Sequence, residues 1–424
     1  MSDVAVGLSG RWNLSNQARP IKQADFGVPS VTGICQNLPA GTEQNRCYTV
    51  ATKDPDLVAR FGEGDLVDQI RAIGRGLPSG KQALNVTVVP VKDSTETDPT
   101  AKRDANIAAL RGLDDQKTGV YALKHAVAQG ALMPRLNTIA GGYDAFIQDN
   151  TANPIVTALT AVNASTFGHA FINGPNSTEV EAKAVRSLYS DASLTMIETG
   201  VQIADESNNL ETVGASGFVA GLQAAVDAEH DGVPSHVAGN RALRIAAPGR
   251  EMTFDWMDPS TEGQRLLNAQ CDIIVRGRVG DDFAAGEGGM ILVTCHTLSS
   301  DPLEMYYNVV RMQNYILLTL LRSYKVFLLK YNMNPKRAIK AVIKQTNNWL
   351  VGMAQREIIY SAPKVLFVPD AETPSDWRKG KLTFTGRAEP RAPLTRIDLT
   401  MERDDAGIEL EIAELETFAK NLSL

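Results

Sequence analysis

DPLEMYYNVVRMQNYILLTLLRSYKVFLLKYNMNPKRAIKAVIKQTNNWLVG, residues 301 to 352, carries the longest helical period in the chain. Met312, Ile316, Leu320, Tyr324, Phe327 and Tyr331 recur at three- and four-residue spacing, which places them on one helix face. Asn334-Pro335 interrupts the pattern with a capping residue followed by proline at the first helical position, where its missing N–H leaves nothing unsatisfied. A second helix is expected beyond it, with Ile339, Val342, Ile343, Thr346, Leu350 and Met353 inward. Lys336, Lys340 and Lys344 stack outward, with Arg337 beside them. Two amphipathic helices joined this closely need a sheet or further helices over their apolar stripes, so the stretch reads as core.

Downstream, Lys364 to Pro369 and Lys381 to Arg387 read as strands. From Pro393 to Leu415 apolar and polar residues alternate: Ile397, Leu399 and Met401 against Asp398, Thr400 and Glu402, then Ile408, Leu410 and Ile412 against Glu409 and Glu411. That period predicts a strand with one apolar face. Upstream, residues 118–300 alternate between strand and helix. Arg135–Ala140, Phe167–Ile172 and Leu194–Ile197 read as strands around the helices Pro154–Ala164 and Thr178–Tyr189, an order that implies right-handed crossovers and a mainly parallel sheet. A helix from Phe218 to Glu229 follows, capped by Ser216; then come a helix Glu262–Asn268 and strands Cys271–Arg276 and Met290–Cys295. Residues 26–117 carry strands at Pro29–Cys35, Arg46–Ala51 and Ala83–Val91, a helical segment Pro55–Ile73 and an exposed loop Lys92–Thr100. Residues 1–25 lack periodicity and read as an arm. The expected fold is therefore mixed α/β (α+β). A small N-terminal α+β unit (26–117), a central parallel-sheet α/β domain (118–300) and a C-terminal helix-strand domain (301–392) lie between extended arms, 1–25 and 393–424.

At 424 residues, with 43% hydrophobic and 21% charged, the composition is that of a folded globular chain. Apolar runs such as Tyr315–Leu321 fall far short of the roughly 20 residues of a membrane span. Met1-Ser-Asp-Val has no basic segment leading into an apolar one, so no export signal is read and synthesis in a cytoplasm is expected. The net charge of −7 argues against a surface given over to nucleic acid, though the lysine stripe is a local exception. Cys35, Cys47, Cys271 and Cys295 have none of the spacings of zinc sites, and reduced buried thiols are the expectation. The loop between Cys35 and Cys47 makes these two the candidate pair for a disulfide, within a subunit or with a neighbour's cysteines.

Chemistry-bearing motifs end in near misses. RGLPSGK (75–81) has Arg where a phosphate loop needs its first glycine, and it leads into a strand. Gly214-Ala-Ser-Gly-Phe fails the nucleophile elbow by one residue. Gly141-Gly142 is too little for a dinucleotide fingerprint. Cys295 and His296, adjacent on an expected strand, would point to opposite faces. The five histidines show no ligand spacing; only His230 and His236 lie close, in what reads as a surface loop. No catalytic, cofactor or metal site is predicted.

Three separated blocks carry a resemblance. VGASGFVAGLQAAVDAEHDGVPSHVAGN (213–240), EGQRLLNAQCDIIVRGRVG (262–280) and GMILVTCHTLSSDPLEMYYNVVRMQNYI (289–316) resemble the contractile tail sheath proteins of phages and phage-like particles. The marks fall on Val219, Ala220, Gly221, Asp227, Glu229 and Gly232; on Leu267, Asn268 and Ile273; and on Thr297, Asp301, Pro302, Tyr307, Asn308, Val309 and Arg311. GVPSVTGICQ (27–36) and GVYALK (119–124) resemble the family's opening strand and central domain. Cys271 stands where the family commonly has glycine, and residues after about Arg403 run past the usual end. The resemblance implies a structural subunit with no cofactor, stacked in homo-hexameric rings around an inner tail tube, with baseplate and tail terminator proteins as further partners. It implies no direct nucleic-acid contact and no membrane insertion by this subunit, in a particle assembled in a bacterial cytoplasm. Terminal arms would add strands to neighbours, Ile397, Leu399 and Met401 among them, and Lys336, Arg337, Lys340 and Lys344 would face the tube. An α/β hydrolase-like enzyme, or another self-assembling tail or surface-layer protein, are the alternatives.

Overall fold

The structure is a computed structural model that describes residues 25–80, 83–148, 150–204, 209–286, 288–325, 328–329, 335–367 and 373–422, without the side chains of 335–339 and 341. In chain order the first elements are β1 (Pro29–Cys35), β2 (Tyr48–Ala51), α1 (Leu57–Phe61), α2 (Asp65–Gly76), β3 (Asn85–Lys92) and α3 (Pro99–Arg111). Next come β4 (Leu136–Ile139), α4 (Pro154–Thr166), β5 (His169–Asn173), α5 (Glu179–Ser187), β6 (Leu194–Ile197), β7 (Val201–Ala204) and β8 (Leu210–Val213). They are followed by α6 (Ser216–Glu229), β9 (Arg241–Leu243), β10 (Ala247–Pro248), α7 (Glu262–Asn268), β11 (Ile273–Arg276) and β12 (Met290–Val293). The last are α8 (Tyr307–Tyr324), α9 (Pro335–Gln355), β13 (Lys364–Phe367), α10 (Pro374–Arg378), β14 (Phe384–Arg387) and α11 (Ala406–Leu422).

Six strands form the central sheet in the order β2-β3-β1-β4-β5-β6. All neighbours are parallel except the edge pair β2 and β3. The units read as 26–117 and 118–300 thus share one sheet: β1 hydrogen-bonds to β3 on one side and to β4 on the other. Every residue of β1, β4, β5 and β6 is buried, as expected of strands covered on both faces. Val31, Val86 and Val88 pack with α1 and α2 on one face, while Ile34, Val89 and Val91 pack with α3 and α4 on the other. Helix α3 begins inside a segment read as loop and continues where no element was expected. Its start is set by Asp98, whose side chain accepts from Ala101 N at 2.8 Å, with Pro99 at the first position.

Two glycines set how α6 meets the sheet layer. A Cβ on Gly76 would come within 2.1 Å of the Phe218 carbonyl oxygen, and one on Gly221 within 2.1 Å of that of Ile73. The α2 and α6 backbones therefore touch, and any larger residue at either glycine would have to separate the helices.

Helix α8 buries Tyr307, Asn308, Val309, Val310, Arg311, Met312, Tyr315 and Thr319. Of the expected stripe only Met312 is fully inside; Ile316, Leu320 and Tyr324 are half-buried, and Phe327 and Tyr331 lie outside the described residues. The buried face is turned because polar Asn308, Arg311 and Thr319 occupy it. In α9, Val342, Thr346, Leu350 and Met353 are buried as expected. Together with Phe26, Met312, Tyr315, Ile359 and Val365 the last two of these close a separate hydrophobic cluster.

The chain divides into two compact units at Ala392 and Pro393. Within the second, residues 393–404 have no regular secondary structure, and the expected strand over Ile408, Leu410 and Ile412 is instead part of α11. IELEI fits a period of 2, but Ile408, Ile412, Leu415, Ala419 and Leu422 also fit a helical seam, and a segment rich in Ala, Glu and Leu has high helix propensity.

Candidate functional site

The residues marked by the family resemblance converge on one buried network. Asp227 sits in the last turn of α6 and Arg311 in the second of α8; the guanidinium meets the carboxylate through Nη2–Oδ2 at 2.5 Å and Nη1–Oδ1 at 3.2 Å. Both side chains are almost wholly inaccessible. Gln223, one turn before Asp227, donates to Asp227 Oδ1 at 2.8 Å and to the His236 carbonyl at 3.0 Å. The Tyr307 hydroxyl donates to Gln223 Oε1 at 2.8 Å and accepts from Ala238 N at 2.7 Å. Burial drives the Asp227 carboxyl above its ordinary range, while the Arg311 charge and hydrogen bonds work against that rise.

The same two turns of α8 hold the backbone at Phe26 and at Arg391. Arg311 Nη2 donates to the Phe26 carbonyl at 3.0 Å, and Asn308 Nδ2 donates to the Arg391 carbonyl at 3.1 Å and to that of Ser235 at 3.1 Å. Phe26 is the second described residue, and Arg391 lies two before Pro393. Phe26 and Arg391, which border the segments expected to be arms (1–25 and 393–424), are thus held one helical turn apart on α8. Residues 1–24 themselves lie outside the described residues.

A second buried cluster overturns the argument against Cys295 and His296. Strand β12 ends at Val293, so alternation no longer applies to them, and Cys295 Sγ lies 3.6–3.7 Å from the His296 ring nitrogens. Asp272 gathers this turn: it accepts from Thr294 Oγ1, from Cys295 N at 3.0 Å and from His296 N at 3.2 Å, and its Oδ1 meets His296 Nδ1 at 2.7 Å. Burial alone would lower the His296 pKa, but the charge of Asp272 and the bond to it push it up to about 11. Burial also raises the Cys295 thiol, against a nucleophilic role.

Ser216 is not a helix cap. It is the first residue of α6, fully buried, and its Oγ accepts from Gln69 Nε2 at 3.0 Å and Asn173 Nδ2 at 3.1 Å. The capping acceptor comes from the end of β5, where Asn173 Oδ1 takes the Ser216 N–H at 3.0 Å. Nor is the crest between β1 and β4, where doubly wound sheets commonly bind ligands, an open cleft at Gly141. A Cβ there would come within 2.4 Å of the Asp65 carboxylate. Among the described residues no group of His, Cys, Asp or Glu is arranged to hold a metal ion, and no helix is long and apolar enough to cross a membrane.

Of the other expected site residues, Lys340 and Lys344 are exposed on α9, while the side chains of Lys336 and Arg337 lie outside the described residues. Ile397, Leu399 and Met401 are about four-fifths exposed in the irregular segment before α11. Cys35 and Cys47 are free, buried thiols in different hydrophobic clusters, each pushed by burial to about 12. His230 and His236 stack with ring centroids 3.7 Å apart. The sequence offered Asp227 and Arg311 only through the resemblance, since nothing local pairs two residues 84 positions apart.

Replacing Arg311 with Met strands the Asp227 carboxylate, and urea unfolding should register a loss of about 3–5 kcal/mol. Arg311→Met combined with Asp227→Leu should recover most of that loss, because removing both charges removes the desolvation cost as well. A double variant less stable than the single one would contradict this account of the pair. The Asp272–His296 pair generates a pH dependence. The folded-state pKa of His296 is raised from 6.5 to about 11, so its contribution is complete below 6.5 and is lost as the pH climbs through that window. Urea midpoints of wild type and His296→Asn should therefore differ more at about pH 6 than at about pH 10. Equal gaps at both pH values would mean that the pair is not ionic.

No family model matches the sequence. Over 300 residues, 70% of this chain and 71% of the relative, it is 28% identical to a protein named as a prophage major tail sheath protein of Pseudomonas aeruginosa (strain UCBPP-PA14). The helical sheath of the anti-feeding prophage in its contracted state shares the fold with a TM-score of 0.65 at 14% identity, covering 95% of this chain and 100% of that one. The contracted PVC sheath of an extracellular contractile injection system gives 0.62 at 15%, covering 95% and 99%. These relatives are structural sheath proteins, not enzymes, and the fold match runs almost end to end. By sequence and by fold together, the chain is similar to contractile tail sheath proteins, the structural subunits of phage tails and phage-like particles.

Proposed function

We propose that the subunit polymerises with copies of itself as stacked hexameric rings around an inner tail tube, between a baseplate and a tail terminator protein. It is synthesised and assembled in the bacterial host cytoplasm, touches no nucleic acid directly and inserts nothing into a membrane. The observation that carries this reading is the fold match along 95% of the chain to a helical sheath. Contraction is then a rigid-body rearrangement of subunits from a metastable extended lattice to a compact one, with the energy stored at assembly and no nucleotide consumed.

Strand exchange links the copies. Ile397, Leu399 and Met401 alternate along an exposed segment without regular structure, which suits a strand completed by a neighbour's sheet edge; residues before Phe26 pair in the same sheet. The anchored roots at Phe26 and Arg391 support this reading, since a donated strand transmits force only if its own end is fixed. Lys336, Arg337, Lys340 and Lys344 form the face toward an acidic inner tube.

Deleting residues 1–20 or 393–424 should leave a folded monomer that makes no tubes by electron microscopy; normal striated tubes from either truncation would sink the strand exchange. With Lys340→Glu and Lys344→Glu, sheath should fail to assemble on the inner tube, and wild-type coupling should weaken with salt. Normal assembly of the doubly reversed variant on the tube would leave the stripe a solvated face.

A further inference from the structure

Helix α11 lies in the second compact unit, Pro393–Leu424, and presents an apolar seam with no buried residue. Ile408, Ile412, Leu415, Ala419 and Leu422 form an i, i+4, i+7 seam, the spacing of a coiled-coil stripe. Ile408, Ile412, Leu415 and Leu422 are 52–71% exposed, and the helix has no buried residue. Glu409, Glu411 and Glu416 flank the seam on both sides. Across 393–424 there are eight Asp or Glu against three Lys or Arg. Two such helices packed together would face acid to acid, so pairing of α11 with another α11 is disfavoured.

The chain carries the complement. Between Met305 and Arg356 it holds nine Lys or Arg and no Asp or Glu. Within that stretch α8 has a free apolar face: Leu317 is 49% and Leu321 50% exposed, one turn apart, with Arg322 and exposed Lys325 beside them. Asn314, Leu317, Leu321 and Tyr324 repeat at the same three- and four-residue spacing as the α11 seam. Leu317 and Leu321 take no part in the contacts of Arg311, so covering them leaves the network in place.

We propose that α11 docks on the Leu317–Leu321 face of α8 in a second copy, apolar seam to apolar seam, with its glutamates toward Arg322 and Lys325. This clamp adds a helix-to-helix contact to the strand exchange and rests on the reading that copies lie side by side in a lattice. The α9 stripe is left free for the tube. Because α8 also anchors Phe26 and Arg391, a neighbour's α11 would seize the helix in which both arms are rooted.

The test is a mixed crosslink between full-length chains, one carrying Leu321→Cys and the other Leu415→Cys. Leu415 is central in α11, so it stays over the Leu317–Leu321 pair in either orientation of that helix. Under mild oxidation the mixture should give a dimer lost on reduction, while neither variant alone should. Glu411→Lys with Glu416→Lys should cut the yield on the order of tenfold, and adding Arg322→Glu with Lys325→Glu should restore it. Two results overturn the proposal: tubes that form without any mixed crosslink, or a crosslink obtained only within a chain bearing both cysteines, which places α11 on its own α8. A wild-type chain that makes no tubes overturns the polymer reading separately, before any crosslink is scored.

Discussion

The bidentate contact of Arg311 with Asp227 is the constraint around which the rest is arranged. A guanidinium and a carboxylate removed from water together carry a desolvation penalty of several kcal/mol per ion, recovered only if the geometry is good and the remaining donors and acceptors are used. Gln223 supplies part of that by holding Asp227 Oδ1, and the Phe26 carbonyl takes another guanidinium proton. The pair is weak evidence for net stability and good evidence for specificity. Only one placement of α8 against α6, and one path of the chain into β1, satisfies it.

From this junction the layers follow. Helix α6 packs backbone to backbone on α2 through Gly76 and Gly221, which brings Asp227 to a fixed height above the sheet. Tyr307, in turn, reaches His169 and Phe171 of β5, with the phenylalanine ring edge-on at 5.7 Å. The parallel sheet, α6 and α8 thereby form one rigid assembly. Asn308 and Arg311, one turn apart, hold Phe26 and Arg391 to the same helix.

Much of this was legible in the residues themselves. The run from β4 to β6 reads off the alternation of apolar runs with helical periods, and Asn153-Pro154 and Thr178 mark helix starts by chemistry that is wholly local: each side chain accepts an N–H of the first turn. Ser216 shows the limit of that signal. A serine before an apolar helix looks like a cap, yet Asn173 from a distant strand supplies the acceptor and Ser216 goes inside. Cys295 and His296 failed for a similar reason: their alternation depended on a strand that Asp272 ends two residues earlier by drawing the following N–H groups onto its carboxylate. In α11 both periods were present, and the shorter one was the misleading one.

By itself the sequence determined the run of strands and helices from β4 to β6, the parallel central sheet and, through three spaced blocks, the likeness to tail sheath proteins, because each depends on periodicity, on local turn and cap chemistry or on spaced motifs. It did not contain the sharing of one sheet by the first two segments, the burial of Asn308 and Arg311 on a face that should be apolar, or the anchoring of Phe26 by a side chain 285 residues away. Those were decided by tertiary structure. A buried polar residue is tolerated only once its partner has arrived, and no local pattern records which distant residue that partner will be.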